Sequence, residues 1–366
     1  MVIDTSNANY QAQLEQKIKS LHTKFNDLSI SIPDFSVFES PKKHYRMRAE
    51  FRVWHDGEDT NYAMHHPKTK EIYTLTDFPI ASKAICKRMT PLMEIINSDK
   101  ELRHRLFQVE FLSTTTGEVL ISMIYHRALG EEWQTKATAL EKSINAHIIG
   151  RSRKQKQVIS KDYVIEEMTI NGFTYRYQQT ENSFTQPNAH VCQQMLQWAC
   201  DQASDINTEN SQDLLELYCG NGNFTLPLSR HYQKVLATEV SKSSVRSAQY
   251  NIDINKIDNV SIMRLSSEET VQALNKERTF RRLEEIDIDG YNFSTVFVDP
   301  PRAGLDPTTL ELAKRFDNIL YISCNPDTFF ENLKTLTDYS IKKFAVFDQF
   351  PYTNHLEVGA VLIKQA

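Results

Sequence analysis

The sequence predicts an α/β protein, with a Rossmann-like parallel sheet in its C-terminal half and a separate α+β domain before it. Three observations support this. Beyond about residue 205, short apolar runs alternate with segments that can form helices, as in βα units. Before that point, strand-like and helix-like runs follow one another without this alternation. The chain also has 366 residues, enough for two domains, which we place at residues 1–175 and 176–366.

The C-terminal strands are predicted by apolar runs that are short and nearly uninterrupted, as expected for strands buried on both faces of a sheet. Two further runs, 339–348 and 356–364, are joined by a connection too short for a crossover helix, so we expect them to be antiparallel. Together these runs predict a seven-stranded sheet. The first five strands are 213–219, 234–240, 259–265, 294–300 and 318–324.

The N-terminal domain begins with residues 10–30, whose apolar positions have helical spacing. Alternating runs within 44–125 predict several strands. Residues 91–106 and 131–147 predict helices, and 150–161 predict a surface hairpin or linker.

Composition limits the class of protein. The chain is 40% hydrophobic and 24% charged, as in ordinary globular domains. It has no apolar stretch long enough for a transmembrane helix, and its N-terminus lacks the apolar core of a secretory signal. We therefore expect a cytoplasmic protein with no membrane partner. The five cysteines form no CxxC pair, so we expect neither a metal site nor an iron–sulfur cluster.

The charge distribution permits a nucleic-acid partner, although the net charge is −5. Residues 1–165 contain 24 lysines and arginines against 20 acidic residues. Phosphate binding requires only a local basic surface, so this excess is compatible with RNA, but solvated surface charge explains it equally well.

A glycine turn, Gly220-Asn-Gly222, follows the first strand of the predicted sheet and predicts close approach of the backbone to a ligand. Position 225 is threonine, so the third glycine of the dinucleotide pattern is missing, which disfavours NAD. Glu239 ends the second strand, where a carboxylate can accept both ribose hydroxyls of a nucleoside. A solvated strand end is the alternative for Glu239.

Three reactive side chains are predicted at the carboxyl edge of the sheet, where open α/β sheets bind ligands. Asp299 ends the fourth strand, before two prolines and Arg302. Cys324 ends the fifth strand at the start of a helix, a position that favours the thiolate. Glu357 opens the last strand and is a candidate general base, with His355 as the second choice.

The segments ENSFTQPN, LLELYCGNGNF, FVDPPRAGLD, LYISCNP and FDQFPYTNHLE, in this order, closely resemble the RNA 5-methyluridine methyltransferase family. The likeness extends into the first half, through YRMRAEFRVWHDG and LRHRLFQVEFL, so it covers nearly the whole chain. The ribosomal-RNA members usually carry an additional N-terminal barrel and a four-cysteine iron–sulfur motif. This sequence has neither, which favours the tRNA branch.

The resemblance implies a class I methyltransferase domain that uses S-adenosyl-L-methionine, and an N-terminal domain that binds RNA. It further implies that the T-loop uridine 54 of tRNA is the target, that other T-loop-like RNA is a possible substrate, and that the protein is a monomer. Cys324 matches the family's nucleophile and Glu357 its base. The matching cofactor positions are Gln186, Tyr218, Asn223, Glu239 and Asp299, and the candidates for RNA contact are Arg48, Arg52 and Phe107.

Other functions remain possible on the same fold. An adenine amino-methyltransferase requires neither Cys324 nor Glu357 and would favour an aromatic residue in place of Arg302. An RNA-binding or RNA-folding protein could keep the fold without the chemistry. An NAD oxidoreductase is the third alternative.

Overall fold

The computed structural model describes residues 5–365, apart from residues 32, 34, 67–68, 210 and 285, so the first four residues of the polar N-terminus lie outside it. The chain forms two compact units. Most of unit 1 is Pro41–Glu167 and Gln178–Ala189, and unit 2 is Asn7–Ser40, Met168–Tyr177 and His190–Ala366. The units are therefore interleaved along the chain, whereas the sequence predicts two contiguous domains that meet at residues 175 and 176.

The secondary structure comprises ten α-helices and seventeen strands within the described residues. The helices are α1 (Asn7–Asp27), α2 (Lys83–Ser98), α3 (Lys100–Arg103), α4 (Glu131–Ile144), α5 (Ala189–Ile206), α6 (Thr225–Leu228), α7 (Lys242–Asn255), α8 (Ser267–Leu274), α9 (Pro307–Ala313) and α10 (Pro326–Leu333). The strands are β1 (Phe35–Phe38), β2 (Arg48–Asp56), β3 (Asp59–His65), β4 (Ile72–Leu75), β5 (Leu106–Ser113), β6 (Val119–Tyr125), β7 (His147–Ser152), β8 (Gln155–Val158), β9 (Tyr163–Ile170), β10 (Phe173–Thr180), β11 (Asp213–Leu217), β12 (Val235–Thr238), β13 (Val260–Met263), β14 (Phe293–Val298), β15 (Asn318–Ser323), β16 (Tyr339–Phe347) and β17 (Glu357–Lys364).

Unit 2 contains a sheet with the strand order β1-β16-β17-β15-β14-β11-β12-β13. Strands β11 to β15 pair in parallel, and β17 is antiparallel to both β15 and β16. The predicted parallel βα sheet and its antiparallel C-terminal hairpin are confirmed. Helices cover both faces, since Trp198 of α5 packs against Gly359 and Phe25 of α1 packs against Phe344.

The predicted strand number of seven is wrong, because β1 adds an eighth strand from the N-terminal part of the chain. It pairs in parallel with β16, from Phe35 opposite Phe344 to Phe38 opposite Phe347. Helix α1 lies beside it, and the ring of Phe25 makes an edge contact with that of Phe330, 4.9 Å between centroids. Buried aromatic contacts of this kind add to ordinary apolar burial, so the N-terminal segment joins the C-terminal sheet.

Unit 1 is an α+β structure, as predicted. Its sheet has the order β4-β3-β2-β5-β6-β7-β8, and all pairs are antiparallel except β6 with β7, which α4 connects. The sequence did not indicate β3, because its run DTNYAMH includes polar residues of low strand propensity. Strands β9 and β10 form a separate two-stranded sheet.

No helix in the described part of the chain is long and apolar enough to cross a membrane.

Candidate active site

The ends of three neighbouring strands bring together the predicted reactive residues of unit 2. Val298 of β14 pairs with Tyr321 of β15, and Ser323 of β15 pairs with Val358 of β17. Asp299 and Cys324 directly follow these strands, and Glu357 directly precedes Val358. The three side chains therefore share the carboxyl edge of β14 and β15, and each of the two carboxylates raises the pKa of the Cys324 thiol.

The thiol of Cys324 has a raised pKa, contrary to the depression expected from a helix start. Burial raises it to about 11, and the negative charges of Glu357 and Asp299 add to the increase. The nearby Arg302 guanidinium opposes this effect. Helix α10 has only eight residues, and its N-terminal dipole does not outweigh burial and two carboxylates. Cys324 is accordingly a thiol at neutral pH in the ligand-free protein.

Glu357 is a buried carboxyl group, with only 2% of its surface exposed. Its Oε2 atom has no hydrogen-bond partner among the residues that the structure describes. Burial raises its pKa well above the usual value, and the charge of Asp299 raises it further. Desolvation also raises the pKa of Asp299, so protons are retained at this edge of the sheet near neutral pH.

Glu216 is a third acidic side chain at this site, and it was not singled out from the sequence. It lies in β11 opposite Phe297 of β14, two residues before Asp299. Burial raises its pKa to about 8; a hydrogen bond with the Thr225 hydroxyl works against that increase, and the charge of Asp299 adds to it. The available sequence signal was an acidic residue inside the apolar run LLELY.

The predicted glycine turn follows β11 in a left-handed backbone conformation. The φ angles of Tyr218, Gly220 and Gly222 are 62°, 58° and 83°. A Cβ atom on Gly222 would also lie 2.8 Å from Leu226, so this position requires glycine for two reasons. The carboxylate of Glu239 accepts hydrogen bonds from the backbone N–H of Gly220 at 3.1 Å and of Ser241 at 2.6 Å.

Side chains on either side of this turn fix its position. The hydroxyl of Tyr218 lies 3.2 Å from Oγ of Ser267. The backbone carbonyl of Asn223 accepts a hydrogen bond from the Tyr177 hydroxyl at 3.1 Å, and its side-chain amide lies 3.5 Å from Sγ of Cys192. The turn is thus an ordered cradle, with an acidic side chain at one end and buried carboxyl groups behind it.

This cradle fits a nucleoside cofactor that carries a positive charge. Glu239 lies at the end of β12 next to the turn, where a carboxylate can bind ribose hydroxyls. The buried carboxyl oxygens of Glu216 and Glu357 are acceptors, and a cation beside them would offset the cost of their ionisation.

Gln186, the remaining predicted cofactor residue, lies half-buried in unit 1. The carbonyl of the next residue, Pro187, accepts a hydrogen bond from the backbone N–H of Met47 at 2.8 Å, which fixes the local backbone. A cofactor role for Gln186 stays a prediction.

The predicted RNA-contact residues of unit 1 have different environments. The half-buried guanidinium of Arg48 donates hydrogen bonds to the carbonyls of Glu181, at 2.7 Å, and Ser183, at 3.0 Å, so it holds a loop. The guanidinium of Arg52 lies 3.9 Å from the centroid of the Phe107 ring. The same ring stacks on His126, at 4.0 Å between centroids, and His126 was not predicted from the sequence.

A cavity of about 260 Å³ opens beside Cys324 in unit 2, and part of its wall is helix α1. The sequence placed that helix in the other domain, so its proximity to the nucleophile was not expected. Within the described ranges, no group of three His, Cys, Asp or Glu side chains could hold a metal ion.

Comparison with known proteins shows which family the chain belongs to. A family model described as tRNA (Uracil-5-)-methyltransferase matches residues 9–365. A "tRNA/tmRNA (uracil-C(5))-methyltransferase" of Cellvibrio japonicus is 54% identical over 363 residues, covering 99% of this chain and 98% of the relative. One of the same name from Saccharophagus degradans is 55% identical over 361 residues, covering 98% and 97%.

A solved structure shows the same fold. The crystal structure of Pyrococcus abyssi tRNA (uracil-54, C5)-methyltransferase in complex with S-adenosyl-L-homocysteine superposes with a TM-score of 0.73 at 23% sequence identity, covering 99% of this chain and 86% of that chain. Since the family model and these relatives match almost the entire chain, the protein belongs to the tRNA (uracil-5-)-methyltransferase family.

Proposed function

We propose that this protein transfers a methyl group from S-adenosyl-L-methionine to carbon 5 of a uridine in tRNA, through a covalent bond between Cys324 and the uracil ring. The observation that carries the proposal is the convergence of Cys324, Asp299 and Glu357 at one sheet edge, behind an ordered glycine turn. The names of the similar proteins from Cellvibrio and Saccharophagus support the substrate class.

The proposed cofactor site in unit 2 is the cradle formed by the glycine turn. Glu239 binds the ribose hydroxyls, and the segment from Tyr218 to Asn223 provides backbone N–H groups and side chains around the ligand. Asp299, which follows β14 at the carboxyl edge of the sheet, would contact either the cofactor or the edge of the uracil. When bound, S-adenosyl-L-methionine supplies an electrophilic methyl group.

Cys324 has to activate the uracil ring, because carbon 5 is a weak nucleophile. Its thiolate adds to carbon 6 and moves the electron pair of the C5=C6 bond to carbon 5, with the charge shared by the carbonyl oxygen at carbon 4. Carbon 5 can then accept the methyl group. Glu357 removes the hydrogen that remains on carbon 5, the C5=C6 bond forms again and the thiolate leaves.

The protonation states of these side chains must change when ligands bind. In the ligand-free protein, burial keeps Cys324 a thiol and Glu357 a neutral acid. The pKa values of both groups fall when a cation binds beside them, since a positive charge favours the ionised form of each. Catalytic competence therefore depends on prior occupation of the cradle.

For the target nucleotide we propose uridine 54 of the T-loop, with unit 1 as the RNA-binding part. The cluster of Arg52, Phe107 and His126 offers a cation and aromatic rings, which are the features that bind phosphates and unstacked bases. Arg52→Glu should weaken tRNA binding. An unchanged dissociation constant would remove this cluster from the RNA site.

The decisive experiment uses tRNA that carries 5-fluorouridine, in the presence of S-adenosyl-L-methionine. Fluorine at carbon 5 cannot be removed as a proton, so the covalent complex persists through denaturing electrophoresis. We expect a complex with the wild type and none with Cys324→Ala. If the wild type forms no complex but still methylates ordinary tRNA, the methyl group goes to another atom and the proposed function is wrong.

A further inference from the structure

The cavity beside Cys324 has a wall that comes from helix α1. Lys17, Ser20, Leu21 and Lys24 line it, and their spacing of three, four and seven residues places them on a single face of the helix. The remaining wall comes from the loops at the sheet edge. These lining residues include Arg302, Asp327 and His355.

The positive charges of this cavity are not all neutralised to the same degree. Lys17 is buried, and its ammonium group lies 2.7 Å from the carboxylate of Asp348, so its charge is balanced inside the protein. Lys24 pairs with Asp327, and both side chains are accessible to solvent. An exposed pair of this type contributes little free energy and can exchange its partner for another anion.

Among the described residues, no carboxylate balances the charge of Arg302. Its guanidinium contacts Nδ1 of His355 at 3.2 Å, and none of the carboxylates in the described chain forms an ion pair with it. Burial and the charges of Arg302 and Lys17 lower the pKa of His355, so the imidazole is neutral and accepts the hydrogen bond. The cavity thus presents an exposed guanidinium, with free donors, next to the nucleophile.

We propose that this cavity is a phosphate subsite, in which Arg302, Ser20 and Lys24 bind a phosphodiester group of the RNA adjacent to the uridine that Cys324 attacks. The inference rests on the proposed function and adds a role for α1 in binding the substrate. A guanidinium matches the oxygen geometry of a phosphate, the Ser20 hydroxyl is a further donor, and Lys24 can release Asp327 to reach the anion.

The source of the phosphate follows from chemistry. S-adenosyl-L-methionine contains no phosphate group, so of the two ligands only the RNA can place a phosphate in this cavity. A base attached to Cys324 also keeps its own ribose and flanking phosphates close to that sulfur atom. The cavity volume of about 260 Å³ is below the ~300 Å³ typical of the smallest ligand pockets, which suits a phosphodiester group rather than a whole nucleotide.

The test uses RNA hairpins in which one phosphate near the target uridine is replaced by an uncharged methylphosphonate. For the wild type, we expect that replacement at one linkage weakens binding about tenfold. Arg302→Gln should bind unmodified RNA about as weakly as the wild type binds the methylphosphonate RNA. The methylphosphonate replacement should then cause no further loss of RNA affinity in this variant. Its binding should also depend less on salt, by about one unit of log–log slope.

Arg315→Gln is the matched control, because Arg315 is also an exposed arginine whose guanidinium contacts a neutral side chain, that of Asn275. It follows α9, away from the carboxyl edge of the sheet, and should respond to methylphosphonates as the wild type does. Equal affinity of Arg302→Gln and the wild type for S-adenosyl-L-homocysteine, measured by calorimetry, shows that the variant is folded.

Failure of the subsite can be distinguished from failure of the proposed function. Suppose that the wild type forms the 5-fluorouridine complex, but that methylphosphonate replacement at the sensitive linkage weakens RNA binding by Arg302→Gln tenfold, as it does for the wild type. The phosphate subsite is then wrong, and the proposed methyltransferase activity stands. The same conclusion follows if no single linkage matters to the wild type. Absence of the covalent complex in the wild type, with methylation of ordinary tRNA intact, contradicts the proposed function itself.

Discussion

Replacing Glu357 by glutamine changes one buried group at the proposed site without changing its size. In the ligand-free protein the Glu357 carboxyl is held neutral near pH 7 by burial and by Asp299. Glutamine is neutral as well, so the substitution exchanges one uncharged side chain for another in the same space. We therefore expect the free energy of unfolding to change little at this pH, and any loss of activity to come from the chemistry.

The size of that loss follows from the role assigned to Glu357. Its Oε2 atom has no hydrogen-bond partner among the described residues, so once the carboxyl is ionised this oxygen can take a proton from the substrate. Removal of a general base typically lowers a rate about 10²- to 10⁴-fold, or about 3–5 kcal/mol in barrier height. Because the methyl group is transferred before the proton is removed, the variant should accumulate a covalent complex even with ordinary tRNA.

Denaturing electrophoresis with labelled tRNA measures the complex, and single-turnover release of methylated tRNA measures the rate. Glu311→Gln serves as control, since Glu311 is an exposed carboxylate of α9 that pairs with Lys314, the residue that follows the helix. A rate for Glu357→Gln within tenfold of the wild type, with no accumulated complex, would refute the assignment of Glu357 as the base.

Three further predictions concern residues of unit 2. Alkylation of Cys324 by iodoacetamide should be slow at pH 7 and accelerate toward about pH 11. Asp299→Asn removes a negative charge near the thiol, so it should speed alkylation at pH 9. Peptide mass spectrometry at several pH values measures both rates. The pKa of Glu216 is about 8 in the folded protein and about 4.5 in the unfolded chain. Because the folded state holds the proton more tightly, the free energy of unfolding should fall as the pH rises from about 4.5 to about 8. Glu216→Gln should remove this pH-dependent loss of stability, which is on the order of a few kcal/mol between pH 5 and pH 8.5 in urea unfolding. A variant with the same pH dependence as the wild type would show that Glu216 is ionised. Gly359→Ala would place a Cβ atom 2.7 Å from the Trp198 ring and should lower stability by about 1–3 kcal/mol, whereas Gly130→Ala, into open space, should have a smaller effect in the same assay.

The positions of Cys324 and Glu357 could be predicted from the sequence because each adjoins a recognisable apolar strand. Adjacent parallel strands bring their carboxyl ends to the same edge, and an antiparallel hairpin returns the next strand to it. The electrostatic environment could not be predicted in this way. The raised pKa of Cys324 depends on burial and on the distances to two carboxylates, which no local pattern contains.

The sequence also did not predict that Glu216 and α1 lie near the proposed site. An acidic residue within LLELY could equally mark an exposed position, and only the register with β14 shows that it lies near Asp299. Helical spacing in residues 10–30 predicts a helix with an apolar face, but it does not say which surface covers that face. The four residues of β1, FSVF, are too few to predict a strand or its partner.

The pairing of β1 with β16 has a consequence for the synthesis of the protein. Phe35 pairs with Phe344, which leaves the ribosome some three hundred residues later. The sheet of unit 2 therefore cannot be completed until translation has almost finished. Contacts between residues so far apart in sequence slow folding, and β16 presents an unpaired edge until β1 arrives. A fragment that starts at residue 176 would keep that edge exposed and lack the α1 wall of the Cys324 cavity, so it should aggregate.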